Sequence, residues 1–244
     1  MSRIFITGSA DGLGRAAAET LLGEGHQVIV HAREPGRLHG VRDLLDRGAL
    51  AVTGDLSDLQ QTREVAEQVN RIGRPDAVIH NAGVFTGPQV LAVNVIAPYL
   101  LTALIARPSR LVYLSSSMHF DGRAALEKVD WRGHAAVSYS DSKLWVTALA
   151  AAVARRWPGV VSSAVDPGWV PTKMGGENAP DDLRLGHLTQ EWLVTSEDAQ
   201  AGVSGGYWHH QRRLEPHAAA GDPAFQDALL AELERVTGVA LAIS

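Results

Sequence analysis

The chain has 244 residues, 45% of them hydrophobic and 20% charged, enough apolar material for one domain around a large core. Its formal net charge of -5 offers no basic surface of the kind nucleic acids or anionic membranes attract. The absence of cysteine excludes disulfides, thiol catalysis and zinc–thiolate sites, and fits a reducing compartment.

Met1-Ser2-Arg3 leads straight into Ile4-Phe5-Ile6, so no signal peptide is expected. No stretch reaches the roughly 20 apolar residues that span a bilayer. A cytoplasmic protein without a membrane span is the expectation.

The first unit reads strand, glycine turn, helix, strand. Arg3 to Thr7 is short, apolar and β-rich, as a strand buried on both faces should be. Gly8, Gly12 and Gly14 follow in a G-x-x-x-G-x-G spacing, and Arg15 to Leu22 is helix-forming. Glycines let a backbone turn tightly against a pyrophosphate, and a helix N-terminus supplies free N–H groups and a positive dipole end. The next strand, Gln27 to Val30, runs on to His31-Ala32-Arg33. Where an NAD site carries an acid here, Arg33 would accommodate a 2′-phosphate. Asp11 in the glycine turn would oppose that phosphate if it points inward. NADP is favoured over NAD.

Four more strands are expected: Ala49 to Thr53, Pro75 to His80, Arg110 to Leu114 and Val160 to Val165. They end at Gly54-Asp55-Leu56, Asn81-Ala82-Gly83, Ser115-Ser116-Ser117 and Asp166-Pro167-Gly168. Helical segments lie between them at Leu59 to Arg71, Val90 to Ile105 and Tyr139 to Trp157. Alternating strands and helices imply an α/β fold, a doubly wound parallel sheet of the Rossmann type. Ligands bind such sheets at the carboxyl ends of the strands, where every one of these polar clusters falls.

Tyr139 and Lys143 lie four apart at the start of a helix, so phenol and ammonium share one face. A nearby cation favours the phenolate, and a tuned phenol can exchange a proton with a substrate oxygen. Beyond that helix, residues 173–195 are polar and irregular enough for a small C-terminal substrate lid. Thr195-Ser196-Glu197-Asp198 reads as a helix start, Gly205 to Trp208 as a last strand, and Pro223 to Val236 as an amphipathic helix. His209-His210 is not a metal pair if both lie on a strand, since neighbours there face opposite ways, and no metal site is expected. Residues 1–244 read as a single domain.

Together these motifs resemble the short-chain dehydrogenase/reductase family. The longer segment from Met118 to Val137, Ser142-Lys143-Leu144 and Thr172-Lys173-Met174-Gly175-Gly176 are similar to its retinol-dehydrogenase-like and light-dependent protochlorophyllide-reductase-like branches. The resemblance implies that Gly8, Ser9, Gly12, Leu13 and Gly14 line the cofactor phosphates and adenosine ribose. Asp55 and Leu56 would face the adenine, and Asn81, Ala82 and Gly83 would support its ribose. Tyr139 would be the acid/base, Lys143 would bind the nicotinamide ribose and hold the tyrosine pKa down, and Asn94 would hold a water linking Lys143 to solvent. Ser116 would bond the reacting oxygen, with Ser115 and Ser117 as rivals. Pro167, Gly168, Val170 and Thr172 would close over the nicotinamide. His119 and His134 are expected to be solvated surface groups. The implied activity is hydride transfer between NADP(H) and a small-molecule carbonyl or alcohol. A non-catalytic dinucleotide sensor and a C=C reductase are the alternatives. Pairing into a dimer or tetramer through the Val90–Ile105 and Tyr139–Trp157 helices is open.

Overall fold

A computed structural model describes residues 1–127, 129–131 and 137–242. The strands are β1 (Arg3–Ile6), β2 (Gln27–Ala32), β3 (Leu50–Thr53), β4 (Ala77–His80), β5 (Arg110–Leu114), β6 (Val161–Asp166), β7 (Gly206–His209) and β8 (Arg212–Leu214). They form one eight-stranded sheet in the order β3-β2-β1-β4-β5-β6-β7-β8. Neighbours are parallel except the last pair. Strand order reverses between β1 and β4, where Phe5 sits beside Ile29 on one side and Val78 on the other.

Both faces of the sheet are covered, which is why β1 reads as unbroken apolar sequence. Ile4 and Ile6 enter a core with Ala17 and Leu21 of α1 (Gly12–Gly23) and Leu193 and Val194 of α6 (Leu183–Thr195). Phe5 points the other way, into a core shared with α3 (Leu59–Ile72), α4 (Ala97–Leu104) and α5 (Tyr139–Arg156). A short α2 (Arg42–Asp46) precedes β3. Residues Ala92–Ile96 before α4 wind as a π turn, a widened turn often found at functional sites. The chain ends with α7 (Ala218–Gly221) and α8 (Pro223–Thr237), and α8 packs Leu229, Leu230 and Leu233 into the α5 core.

Three expectations are corrected. Thr195 closes a helix instead of opening one, and Ser196 and Asp198 cap successive turns beyond it. The segment 173–195 divides, because 183–195 form α6 and pack against α1 and the sheet; only the part before Leu183 borders the cleft. α6 is hard to read because its buried residues include Thr189, Gln190 and Glu191. Finally, the two histidines are not on opposite faces of a strand. His210 (φ 46) and Gln211 (φ 61) form the two-residue loop joining β7 to β8, and the His209 and His210 rings stack at 3.8 Å.

Candidate active site

The turn after β1 is held by groups that leave its backbone no alternative course. Gly8 has φ 63, and a Cβ there would stand 2.9 Å from the Ala82 Cα. A Cβ on Gly14 would stand 2.8 Å from the Gly8 carbonyl oxygen. Asn81 Nδ2 donates to the Thr7 and Gly8 carbonyls at 2.9 and 3.2 Å, and Ala82 N–H donates to Thr7 Oγ1 at 3.0 Å. The ends of β1 and β4 are thereby stitched together at the reversal of strand order.

Two residues expected at the cofactor do structural work in this turn. Ser9 is fully buried; its hydroxyl donates to the Ile6 carbonyl and accepts from His31 N–H, both at 2.8 Å. Gly14 is packed beneath Asn81. His31, which sequence reasoning passed over, accepts from Gly8 N–H through Nδ1 at 3.0 Å and donates from Nε2 to the Gly54 carbonyl at 2.9 Å. Burial pushes its pKa down to about 4, so it remains the neutral strut those two bonds require.

A cleft of about 320 Å³ opens at the reversal point, of the size small-ligand sites have. Its walls bring together Gly8, Asp11, Gly12 and Leu13 from the first turn, with Arg33, Asp55, Leu56, Asn81, Ala82 and Gly83 from the next three strand ends. Tyr139, Lys143, Pro167 and Thr172 line it as well. Val170 is buried and Gly168 turns at φ 80, and neither reaches the cleft wall. Lys173 and Met174, at the start of the expected lid segment, do reach it, and so do Gln89 and Val93, which the sequence did not single out.

Asp11 caps α1 by accepting from Gly12 N–H at 2.8 Å. It also pairs with Lys173, and Arg37 stands 3.8 Å away. The bond from Lys173 is the main cause holding its carboxyl below the usual range, against the opposing effect of burial. The acid that would repel a phosphate is therefore engaged by cations, and Arg33 is exposed beside it on the cleft wall.

At the other end, Ser138 caps α5 by accepting from Asp141 N–H at 3.0 Å, which starts the helix at Tyr139. Lys143 Nζ donates to the Leu114 carbonyl at 2.7 Å and sits 5.2 Å from the Tyr139 ring centre. The three serines after β5 separate cleanly. Ser115 reaches the cleft wall but is buried, its hydroxyl 2.6 Å from Thr147 Oγ1; Ser117 is exposed; Ser116 is not on the cleft wall and bonds the Tyr139 phenol. Burial pushes that phenol up to about 12; the Ser116 bond opposes this and the Asp166 charge adds to it. Burial likewise pushes Lys143 down to about 8, partly offset by Asp166. The expected depression of the tyrosine pKa by Lys143 is not seen: burial raises the phenol and outweighs the Ser116 bond, and Lys143 is not among the groups that lower it.

Asn94 lies in the π turn, buried. Its side chain bonds both backbone groups of Val84 and donates to Ser142 Oγ at 3.0 Å. A Cβ on Gly83 would stand 3.5 Å from Asn94 Oδ1 and 3.7 Å from Lys143 Nζ, so these two groups flank the same glycine. His119 is fully buried, contrary to expectation, and His134 lies outside the described residues.

A crevice at the reversal of a parallel sheet, floored by a glycine turn, is the dinucleotide site of a Rossmann fold. The short chain dehydrogenase family profile matches residues 2–183, and the chain belongs to that family of oxidoreductases. An uncharacterized oxidoreductase of Emericella nidulans is 37% identical over 98% of both chains. Retinol dehydrogenase 13 of Mus musculus is 25% identical over 98% of this chain and 84% of that one. Among solved structures, an uncharacterized protein from Mycobacterium paratuberculosis aligns over 100% of this chain and 96% of its own, with a TM-score of 0.81 and 23% identity. A blue fluorescent protein from a metagenomic library, solved with NADPH, aligns over 85% and 95%, with a TM-score of 0.71 and 21% identity.

Proposed function

We propose that the protein is an NADP(H)-dependent oxidoreductase that interconverts an apolar carbonyl compound and its alcohol, with Tyr139 as acid and base. The observation carrying this reading is that Tyr139 and Lys143 both line the cleft, with the Lys143 ammonium 5.2 Å from the Tyr139 ring centre and the Ser116 turn beside the phenol. The cradle fits a dinucleotide: Gly8 and Gly14 are positions where no side chain fits, and the α1 N-terminus opens onto the cleft. Arg33, Arg37 and Lys173 gather around the adenosine end, which favours a 2′-phosphate. When bound, the reduced nicotinamide supplies the hydride that the carbonyl carbon takes up.

The chain's own residues handle the oxygen. Ser116 donates a hydrogen bond to it and stabilises the charge that develops there. Tyr139, a neutral phenol at pH 7, gives its proton to that oxygen and becomes a phenolate. Lys143 stabilises the phenolate, and Asn94 braces the 84 loop against α5 so that Lys143 and Tyr139 keep their spacing. The substrate's apolar character is suggested by exposed Phe85, Met118, Phe120, Trp169 and Met174 on the segments bordering Tyr139. Phe85 lies 4.7 Å from the Tyr139 ring, centre to centre.

Purified protein titrated with NADPH and NADH, then assayed for NADPH oxidation over a panel of ketones, aldehydes and quinones, tests this. Tighter binding of NADPH, and turnover that disappears in Tyr139→Phe while NADPH still binds, is the expected result. Undiminished turnover in Tyr139→Phe, or preference for NADH, sinks the corresponding half of the reading.

A further inference from the structure

The turn that carries Ser116 is built around an imidazole. Ser116 caps a 3-10 turn, Ser117–Asp121, and its own carbonyl accepts from His119 N–H at 3.0 Å. The same carbonyl oxygen is 2.8 Å from His119 Nδ1. A carbonyl can only accept, so Nδ1 carries the proton. On the far side of the ring, His217 N–H donates to Nε2 at 3.0 Å, so Nε2 must offer its lone pair. Both nitrogens are spoken for, and the two bonds fix one neutral tautomer. The ring is fully buried between Phe120 at 4.1 Å and Tyr207 at 4.6 Å, centre to centre. Gly122 closes the turn where a Cβ would stand 2.6 Å from the Leu144 Cβ, leaving no slack against α5.

We propose that His119 is a positioning residue for the reaction: its neutral imidazole, bonded through both nitrogens, holds the Ser116 turn so that the hydroxyl faces Tyr139. This rests on the reductase reading given above. A protonated Nε2 would set an N–H against the His217 N–H and place a charge on a fully buried ring, and that repulsion, which an uncharged side chain at this position does not create, drives the turn out of place. Activity therefore declines on the acid side as His119 takes up a proton. Burial lowers its pKa most, and the neighbouring charge of Asp166 and the bond to the Ser116 carbonyl oppose this while His217 reinforces it. The other titratable groups on the elements packed against the turn are Tyr139, Asp141, Lys143, Arg155 and Arg156 of α5, Tyr207 and His209 of β7, and Asp121 and Arg123 of the turn's own segment. The decline accordingly lies below the ordinary imidazole range.

Two substitutions separate the two bonds. In His119→Asn the side-chain amide can still donate to the Ser116 carbonyl but cannot reach His217 and cannot titrate. His119→Leu loses both. With NADPH and phenanthrenequinone as the probe, kcat is expected to fall about 10- to 100-fold in His119→Leu, the scale set by misplacing a reacting group by about 1 Å, and to stay within about threefold in His119→Asn. KM for NADPH stays unchanged in both, since His119 is not on the cleft wall. The acid-side decline of the native protein is absent in His119→Asn. Protection factors for amide hydrogen exchange over residues 116–122 fall in His119→Leu, and in the native protein on acidification once the intrinsic pH dependence of exchange is divided out.

Equal losses of kcat in both variants, tracking their melting temperatures, would make His119 mere scaffold and overturn the inference. So would an unchanged acid limb in His119→Asn, or unchanged exchange at 116–122 in His119→Leu. Failure of the native protein to oxidise NADPH with any carbonyl counts against the reductase reading instead, and the exchange measurement still decides the role of His119.

Discussion

Burial moves Tyr139 and Lys143 in opposite directions, and the pair reads as a device for reduction. A phenol whose pKa is about 12 holds its proton throughout the physiological range, ready to give it to a carbonyl oxygen. The reverse reaction needs the phenolate, whose population rises about tenfold per pH unit below that pKa. Alcohol oxidation should therefore climb steeply with pH from about 7 to 9, while carbonyl reduction stays nearly level up to the Lys143 pKa of about 8. Above it the ammonium loses its proton, the phenolate loses its stabilising neighbour, and reduction falls. Initial rates in both directions across this range check the sign; oxidation that peaks in acid would contradict it. Arg33 makes a separate prediction at the same scale. Arg33→Ala should weaken NADPH binding about tenfold, the order of one charge-assisted bond to a phosphate, and leave NADH binding nearly unchanged. Paired fluorescence titrations distinguish this from a general loss of affinity.

Between β6 and α6, residues 167–182 form a strap across the cleft. Trp169 N–H donates to Asp181 at 2.6 Å and its indole donates to the Gly175 carbonyl at 2.7 Å, so the strap is braced on itself. Thr172 Cγ2 lies 3.5 Å from where a Gly12 Cβ would stand, and Lys173 reaches Asp11, so its tip rests on the glycine turn. An exposed ion pair contributes only about 0.2–1 kcal/mol. Lys173→Ala is accordingly expected to speed NADPH release about 1.5- to 5-fold, measured by stopped-flow displacement, with little change in melting temperature. The strap, and the helix behind it, were the least legible elements. The parallel strands announce themselves because both faces are buried, so that Arg110–Leu114 could be read to the residue. β8 could not, because its loop uses His210 and Gln211 in left-handed geometry where Asn-Gly would be the usual signal. α6 hid because polar residues occupy its inner face. At the site, Gly8, Tyr139 and Lys143 were visible from spacing. His31, His119 and Lys173 were not, since each acts through a partner more than 20 positions away or across the fold.

The C-terminal helix decides what the whole molecule can do with α5. α5 buries one side on the sheet, and α7 and α8 pack on its outer side beside the Ser117–Asp121 turn. Phe225, Leu229, Leu230 and Leu233 share its core. The tie extends beyond apolar contact: Tyr99 OH donates to the Val239 carbonyl at 2.7 Å, Trp157 Nε1 to the Ala242 carbonyl at 2.6 Å, and Arg155 and Arg156 both pair with Asp227. The α5 face through which pairing was open in the sequence is thus covered by this chain's own tail. Sedimentation equilibrium should accordingly return the mass of a single chain, or a dimer that survives charge substitutions at Ala103 and Leu104, the partly exposed end of α4. A dimer dissolved by such substitutions would mean that pairing through these helices coexists with the tail. The same packing makes α8 a stability element in its own right. Leu229 and Leu233 are fully buried, and truncation of either to alanine should cost about 2–5 kcal/mol, with the larger value where the site cannot collapse. Losing α8 from its seat would uncover a broad apolar surface on α5. Leu229→Ala, Leu233→Ala and their double variant should therefore unfold earlier in urea, and the double variant should also associate before it unfolds, seen as light scattering below its unfolding midpoint. Clean, concentration-independent unfolding of the double variant would show that α8 is dispensable for keeping α5 covered.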